Sequence, residues 1–254
     1  MHNPETPLGT TTDEQRDSER AVTEVIAFIL IFAIVIGSVA VLYTTGFQAM
    51  TDYQENEQLN NAERGMTSLA DNLNDVVRYA GVEQRFGELT LRDGTIRVGG
   101  ESTTIEVDNG STDREIELGS LTYEAGSDTI AYEGGGVFRA DGEGSAVIKQ
   151  PPIRCGESTV VVSILKLQDE GERSFQSDGG VGLQMAKTGD TERITDGGST
   201  VTITVENPSE TPYDNGWEQA LTSNDWVKTG SSNEYECTGV ENIEIQIVTA
   251  EIRL

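Results

Sequence analysis

Val25-Ile-Ala-Phe-Ile-Leu-Ile-Phe-Ala-Ile-Val-Ile-Gly-Ser-Val-Ala-Val-Leu42 is an unbroken apolar run without charge or proline. Its 18 residues reach the length at which a helix crosses the hydrocarbon core of a bilayer. Tyr43, Thr44 and Thr45 can extend it. A polar leader precedes the run, and about two hundred mostly polar residues follow it. The flanks decide whether such a segment anchors, is removed as a signal, or serves assembly.

In residues 1–20, Pro4, Pro7, Gly9 and the run Thr10-Thr11-Thr12 argue against helix or strand. Arg16 and Arg20 are the basic residues ahead of the run, and the next is Arg64. Lys and Arg near a span set its orientation, and acids count for little. The N-terminus is therefore expected inside and the bulk outside. The leader lacks the plainly basic start of a secretory signal. Ser38-Val39-Ala40 has the small-x-small form of a conventional cleavage site, but Val41 and Leu42 continue the apolar run beyond it. A plain anchor is the simplest alternative.

The chain has 254 residues, 17 Lys+Arg and 44 Asp+Glu, for a net charge of −27. A carboxylate surface of this density repels phosphate, which argues against a nucleic-acid partner. It also suits hydration in high salt, as in halophile proteins. His2 is the only histidine and lies in the leader, so the folded part lacks the usual near-neutral acid–base group. There is no Gly-rich phosphate loop, no His–Cys metal cluster and no Gly-x-Ser-x-Gly elbow. Asp190–Asp196 and Asp141–Glu143 read as acidic loops that could bind calcium weakly, but neither has EF-hand spacing. No enzyme, cofactor or metal site is expected. Cys155 and Cys237 both follow the run. In an oxidising compartment a disulfide is the simplest reading, and two buried thiols are the alternative. Asn109-Gly110-Ser111 is an N-glycosylation sequon in an expected turn, with Asn109 the candidate acceptor.

Beyond the run, Leu59, Ala62, Met66, Leu69, Leu73, Val76 and Ala80 alternate at spacings of three and four, an a/d seam. Glu63, Asp71, Asn72, Asn74, Asp75 and Arg78 fill the other positions, and Gly81 suits a helix stop. One helix from Val25 to Ala80 would be about 84 Å long at about 1.5 Å per residue. The seam is expected to pack on the chain's own outer domain rather than on neighbouring helices. From Phe86 onward the apolar period becomes two. Asp93-Gly94 predicts a hairpin between Glu88–Arg92 and Thr95–Val98. Short strands follow with turns at intervals, and Ser158–Leu167, the most apolar, is expected to be central. Thr211–Asp225 reads as a short amphipathic helix, with Trp217 and Trp226 covering the sheet. The expected class is α+β: a long N-terminal helix, then an antiparallel β-sandwich-like domain. The expected divisions are a leader at 1–21, a membrane helix at 22–46, an amphipathic stalk at 47–81 and a β-rich domain at 82–254.

Arg20-Ala21-Val22-Thr23-Glu24, followed by the apolar core, resembles the cleavage site of archaeal type IV prepilins, the class III signal of prepilin peptidase. The longer stretch Arg20-Ala-Val-Thr-Glu-Val-Ile-Ala-Phe-Ile-Leu-Ile-Phe32 resembles the start of haloarchaeal pilin-like proteins. The resemblance covers about 20 residues. It implies a cut between Ala21 and Val22, directed by Arg20, with the apolar helix retained. It implies a structural subunit of a surface filament, with the membrane, prepilin peptidase and other pilin-like subunits as partners. The outer domain would serve adhesion or filament structure. Glu24 would then pair with the new amine of Val22 on the same or a neighbouring subunit. Glu24 is at the third mature position, whereas the bacterial pilin glutamate is at the fifth. The alternative is a single-pass anchored binding or sensor module that does not polymerise.

Overall fold

The computed structural model describes residues 11–90, 94–141, 144–168, 171–176, 179–207, 213–230 and 233–253. Side chains are described from Val22 onward, except at 48, 49, 51, 52, 54–56 and 90. The chain divides into two compact units, Met1–Asn56 and Glu57–Leu254. Helix α1 (Thr11–Arg78) supplies all the described residues of the first unit. It begins inside the leader, so residues 11–20 are helical where irregular chain was expected. After Gly9 that stretch holds no breaker, and Asp13 and Glu14 fall in the first turn, where acids suit the helix dipole. The leader's first ten residues lie outside the described chain.

The second unit opens with the rest of α1. There follow β1 (Gln84–Thr90), β2 (Thr95–Val98), β3 (Thr104–Asp108), β4 (Asp113–Glu117), β5 (Ser120–Ala125), β6 (Asp128–Glu133), β7 (Gly136–Ala140) and β8 (Ser145–Lys149). Next come β9 (Ile153–Cys155), β10 (Thr159–Leu167), β11 (Arg173–Gln176), β12 (Gly180–Lys187), β13 (Glu192–Gly197) and β14 (Thr200–Glu206). Helix α2 (Asp214–Thr222), β15 (Val227–Lys228), β16 (Glu234–Thr238) and β17 (Asn242–Arg253) complete it. The unit is α+β and mostly antiparallel, as the sequence predicts.

The strands form three sheets. The first has the order β1-β12-β17-β10-β9, with β13 also on β17. The second is β11-β2-β5-β6-β7-β8 and the third β15-β16-β14-β3-β4. The expected β1–β2 hairpin is not formed. β1 pairs with β12 and β2 with β5, so the chain changes sheets between them. Asp-Gly favours a tight turn locally, but the two strands pair into different sheets, and Leu89, Ile96 and Val98 are buried in one core cluster. Asp93 itself lies outside the described residues. One pair departs from the antiparallel expectation: β10 runs parallel to β17, with Thr159 opposite Asn242 and Leu167 opposite Ala250. Asp190–Asp196, read as a loop, is largely β13, which lies antiparallel on β17.

β10 is internal to its sheet, and it explains its own composition. Val160, Val162 and Ile164 enter one core cluster with the third sheet and α2. Leu165 and Leu167, on the opposite face, enter a second cluster with α1 and the second sheet. β17 does the same, with Ile243, Ile245 and Ile247 in the first cluster and Val248, Ala250 and Ile252 in the second. Both strands are covered on one face at one end and on the other face at the other end. A strand so placed reads as a nearly continuous apolar run.

The helical seam packs on the chain's own β-domain. Leu59, Ala62, Met66, Leu69, Leu73 and Val76 are buried. So are Ala70, Asn74 and Val77, which makes the stripe wider than an a/d line. Asn74, expected on the polar face, is buried instead. Ala80 is exposed, because α1 ends at Arg78, ahead of Gly81. The helix approaches β1 closely: a Cβ on Gly87 would lie 2.3 Å from a Leu69 methyl. Gln246 of β17 donates to the Val77 carbonyl at 2.7 Å and holds the end of the helix. Arg139 on β7 bridges Glu63 at 2.7 Å and Asp128 at 2.8 Å.

Candidate functional site

The feature most open to a functional role is the apolar part of α1. Val22–Phe47 is a helix of 26 residues with mean hydropathy 3.2, and none of its apolar window is buried. At about 1.5 Å per residue it is about 39 Å long, against about 30 Å for a hydrocarbon core. It can span a bilayer with tilt. Its large apolar side chains are exposed around the whole circumference, from 50% at Val35 to 71% at Leu42. An all-round apolar helix requires lipid or other apolar helices as cover.

The hydroxyls of Ser38, Thr44 and Thr45 within the span are satisfied by the helix itself. Ser38 donates to the Ile34 carbonyl at 2.8 Å, Thr44 to Ala40 at 3.1 Å and Thr45 to Val41 at 2.8 Å. Hydroxyls that bond back one turn leave no donor facing lipid. Tyr43 and Phe47 contact each other, with ring centroids 5.5 Å apart, at the C-terminal end of the span. Amphipathic rings favour the membrane–water boundary.

At the other end, Val22 and Glu24 are exposed on the first turn of the apolar span. No ion pair to Glu24 is present among the described residues. The side chains of Arg20 and Ala21 lie outside the described residues, although their backbone is helical.

A family described as "Family of unknown function (DUF7289)" matches residues 20–254. The chain belongs to that family. No curated protein and no solved structure matches the chain. The DUF7289 match takes in the junction at Arg20-Ala21, the apolar helix and the whole β-rich unit.

Elsewhere in this DUF7289 chain, Cys155 on β9 and Cys237 on β16 form a disulfide with Cα atoms 5.7 Å apart. It joins the first sheet to the third. Asn109 lies in the β3–β4 turn. Its Oδ1 accepts the amides of Ser111 at 2.9 Å and Thr112 at 2.6 Å, an Asx turn. Its Nδ2, the atom a glycan would occupy, donates to Asp196 at 3.0 Å. That bond, with a second from the Gly197 amide, holds the Asp196 carboxyl below its usual range. A glycan on Nδ2 would replace one of its two hydrogens, and only the other could keep the bond to Asp196.

Trp217 and Trp226 are buried in the first core cluster, and Trp217 packs on Phe138 with centroids 4.7 Å apart. Among the described residues no three His, Cys, Asp or Glu side chains converge to hold a metal ion. Glu143 of the acidic stretch Asp141–Glu143 lies outside the described residues.

Sequence reading gives no role to Glu133, yet it is completely buried at the end of β6. The available signal is weak: the strand ends in Tyr132-Glu133 directly before Gly134-Gly135-Gly136. A second unassigned feature is a shallow groove on edge strand β1. Phe86, Glu88, Leu183, Gln184 and Arg253 line it, and Phe86 is 65% exposed.

Proposed function

We propose that this chain is a pilin-like structural subunit, cut between Ala21 and Val22, that assembles through its retained apolar helix into a cell-surface filament. The observation that carries this is the span Val22–Phe47. Its apolar side chains are exposed on every side, its Ser38, Thr44 and Thr45 hydroxyls bond back to the helix, and it begins at Arg20-Ala21-Val22. Cleavage there removes the charged leader and leaves a helix that can exchange lipid neighbours for helical ones. Lipid tails and apolar helices are equally non-polar, so this exchange depends on packing and on any polar pairing rather than on a hydrophobic difference. Glu24 supplies such a pair with the amine of Val22. The acidic β-rich unit faces outward, in a high-salt archaeal setting, and serves adhesion or filament structure. The membrane, prepilin peptidase and other pilin-like subunits are its partners.

N-terminal sequencing of the mature protein tests this reading. A start at Val22 supports it. An intact Met1, or a start at Val41, overturns it. Shear-released filaments that contain the chain would establish polymerisation.

The second reading is a single-pass anchored binding or sensor module. The exposed Phe86, beside Leu183 and Arg253 in an open groove, favours it. A mature chain that stays monomeric in the membrane under shear would support that reading against the first.

A further inference from the structure

Glu133 ends β6 beside the Gly134-Gly135 turn, and its carboxyl is shut off from solvent. The hydroxyl oxygen of Thr103 lies 2.6 Å from Glu133 Oε2 and 2.6 Å from Asn207 Oδ1. The Thr103 amide lies 3.5 Å from Glu133 Oε1. Asn207 Nδ2 in turn donates to the carboxylate of Asp214, the first residue of α2. A threonine hydroxyl carries one hydrogen, and a carboxylate and an amide oxygen both accept. Thr103 therefore cannot serve both neighbours unless another hydrogen is present. Reversing the Asn207 amide would instead set its oxygen against the carboxylate of exposed Asp214 and lose the hydrogen bond that Asn207 Nδ2 gives it. The hydrogen belongs on Glu133. The chain then runs from the Glu133 carboxyl to the Thr103 hydroxyl to Asn207 Oδ1, and from Asn207 Nδ2 to Asp214, with every donor matched.

We propose that Glu133, Thr103, Asn207 and Asp214 form a proton-dependent latch that ties the second sheet to the third sheet and to the start of α2. When Glu133 loses its proton, Thr103 must donate to the new carboxylate. Asn207 Oδ1 is then left without a donor, and the tie to α2 is broken at that point.

The surroundings favour the protonated form. Burial pushes the Glu133 carboxyl up to about 7, against the opposing effects of the Thr103 hydroxyl and amide and the Trp217 indole. The indole N–H is near enough to act on the charge, but it completes no hydrogen bond of ordinary geometry. Tyr213 and Asp214 come from the start of α2, Thr103 from the segment before β3 and Asn207 from the segment after β14. Burial raises the Tyr213 phenol, and Glu133 and then Glu124 of β5 add to this. Tyr132, next to Glu133 on β6, turns away and donates to Asn74. Among the described residues no cation is bonded to Glu133.

The ordinary value for this carboxyl is 4.5. A folded-state value above the unfolded one gives stability that is complete below about 4.5 and is lost as pH rises through about 7. Between pH 5.5 and 8 this one group should raise the unfolding constant about 30-fold.

The test uses the full chain in detergent micelles at high salt. Infrared difference spectra follow the carbonyl stretch of a protonated, buried carboxyl, and denaturant titrations give the unfolding constant. The wild type should show the band at pH 5.5, fading with a midpoint near pH 7. Glu133→Gln should lack the band and lose the roughly 30-fold rise. Asn207→Ala frees the Thr103 hydrogen for the carboxylate, so it should move the midpoint to lower pH. It also gives a readout if Glu133→Gln does not fold. Absence of the band in the wild type at pH 5.5 overturns the proposal. So does a band or a pH slope that Glu133→Gln leaves unchanged.

Discussion

The Tyr132 hydroxyl donates to Asn74 Oδ1 at 2.9 Å, and both residues are buried where α1 crosses the second sheet. Asn74 Nδ2 completes the arrangement by donating to the Gly135 carbonyl at 2.8 Å. One asparagine thus satisfies a phenol and a turn carbonyl that water cannot reach. Asn74→Ala leaves both without partners and should destabilise the fold by about 2–6 kcal/mol, at about 1–3 kcal/mol for each of the two orphaned groups. Asn74→Asp should also destabilise, because it removes the donor to Gly135. Denaturant unfolding of the full chain in micelles checks both.

Cys155 and Cys237 close a loop with a sequence separation of 82. In the chain-entropy account a bridge of that span stabilises by about 4–5 kcal/mol. Cys155→Ser with Cys237→Ser should lower stability by a few kcal/mol. Intact-mass analysis before and after reduction should show the gain of two hydrogens.

The outer face of the third sheet places like charges directly across from each other. Glu106 pairs with Glu115, and Asp108 with Asp113. The Glu106 carboxyl is pushed up, first by desolvation and then by Asp113, Asp108, Glu206 and Glu115. Since its folded value lies above the unfolded one, its contribution is most favourable below the unfolded value and is lost as pH rises through the folded value. Glu106→Gln should therefore stabilise the protein at neutral pH and low salt. The gain should shrink at molar salt, where the Debye length is about 3 Å. Thermal melts across a salt series would measure this; a gain independent of salt would contradict it.

Glu24→Gln removes the charge proposed to pair with the Val22 amine and changes little else. The expected result is normal membrane insertion and processing with a large loss of surface assembly. Cell fractionation, N-terminal sequencing and filament recovery after shear separate these steps. Filament yield equal to wild type would remove Glu24 from the assembly account.

Local structure is legible wherever one period is sustained. The seam from Leu59 to Val76, the short helix around Trp217 and strands such as β5, β10 and β14 follow directly from spacing. Two failures share a cause. Asn74 reads as solvent-facing because a lone polar residue gives no sign of the Tyr132 and Gly135 groups that it meets across the fold. Asp93-Gly94 reads as a hairpin because turn propensity is local, whereas the sheet each flanking strand joins depends on distant partners, β12 for one and β5 for the other. The short strands β9, β11, β13, β15 and β16 gave too few alternating residues to register. Of the candidate site, the apolar span and the cysteine pair were legible from composition alone. Glu133 was not, since its burial depends on residues as distant as Thr103 and Asn207.

β17 is synthesised after every other described strand, yet it lies between β10 on one side and β12 and β13 on the other. Until β17 has been made, the first sheet therefore stays in three unjoined pieces: β1 with β12, β9 with β10, and β13 by itself. If α1 enters the membrane first, the nascent domain reaches the far side with the apolar edge of β10 uncovered. It must be kept from aggregating until that final strand arrives. Emergence of β17 from the ribosome, rather than insertion of the apolar helix, would then set the earliest moment at which the domain can fold.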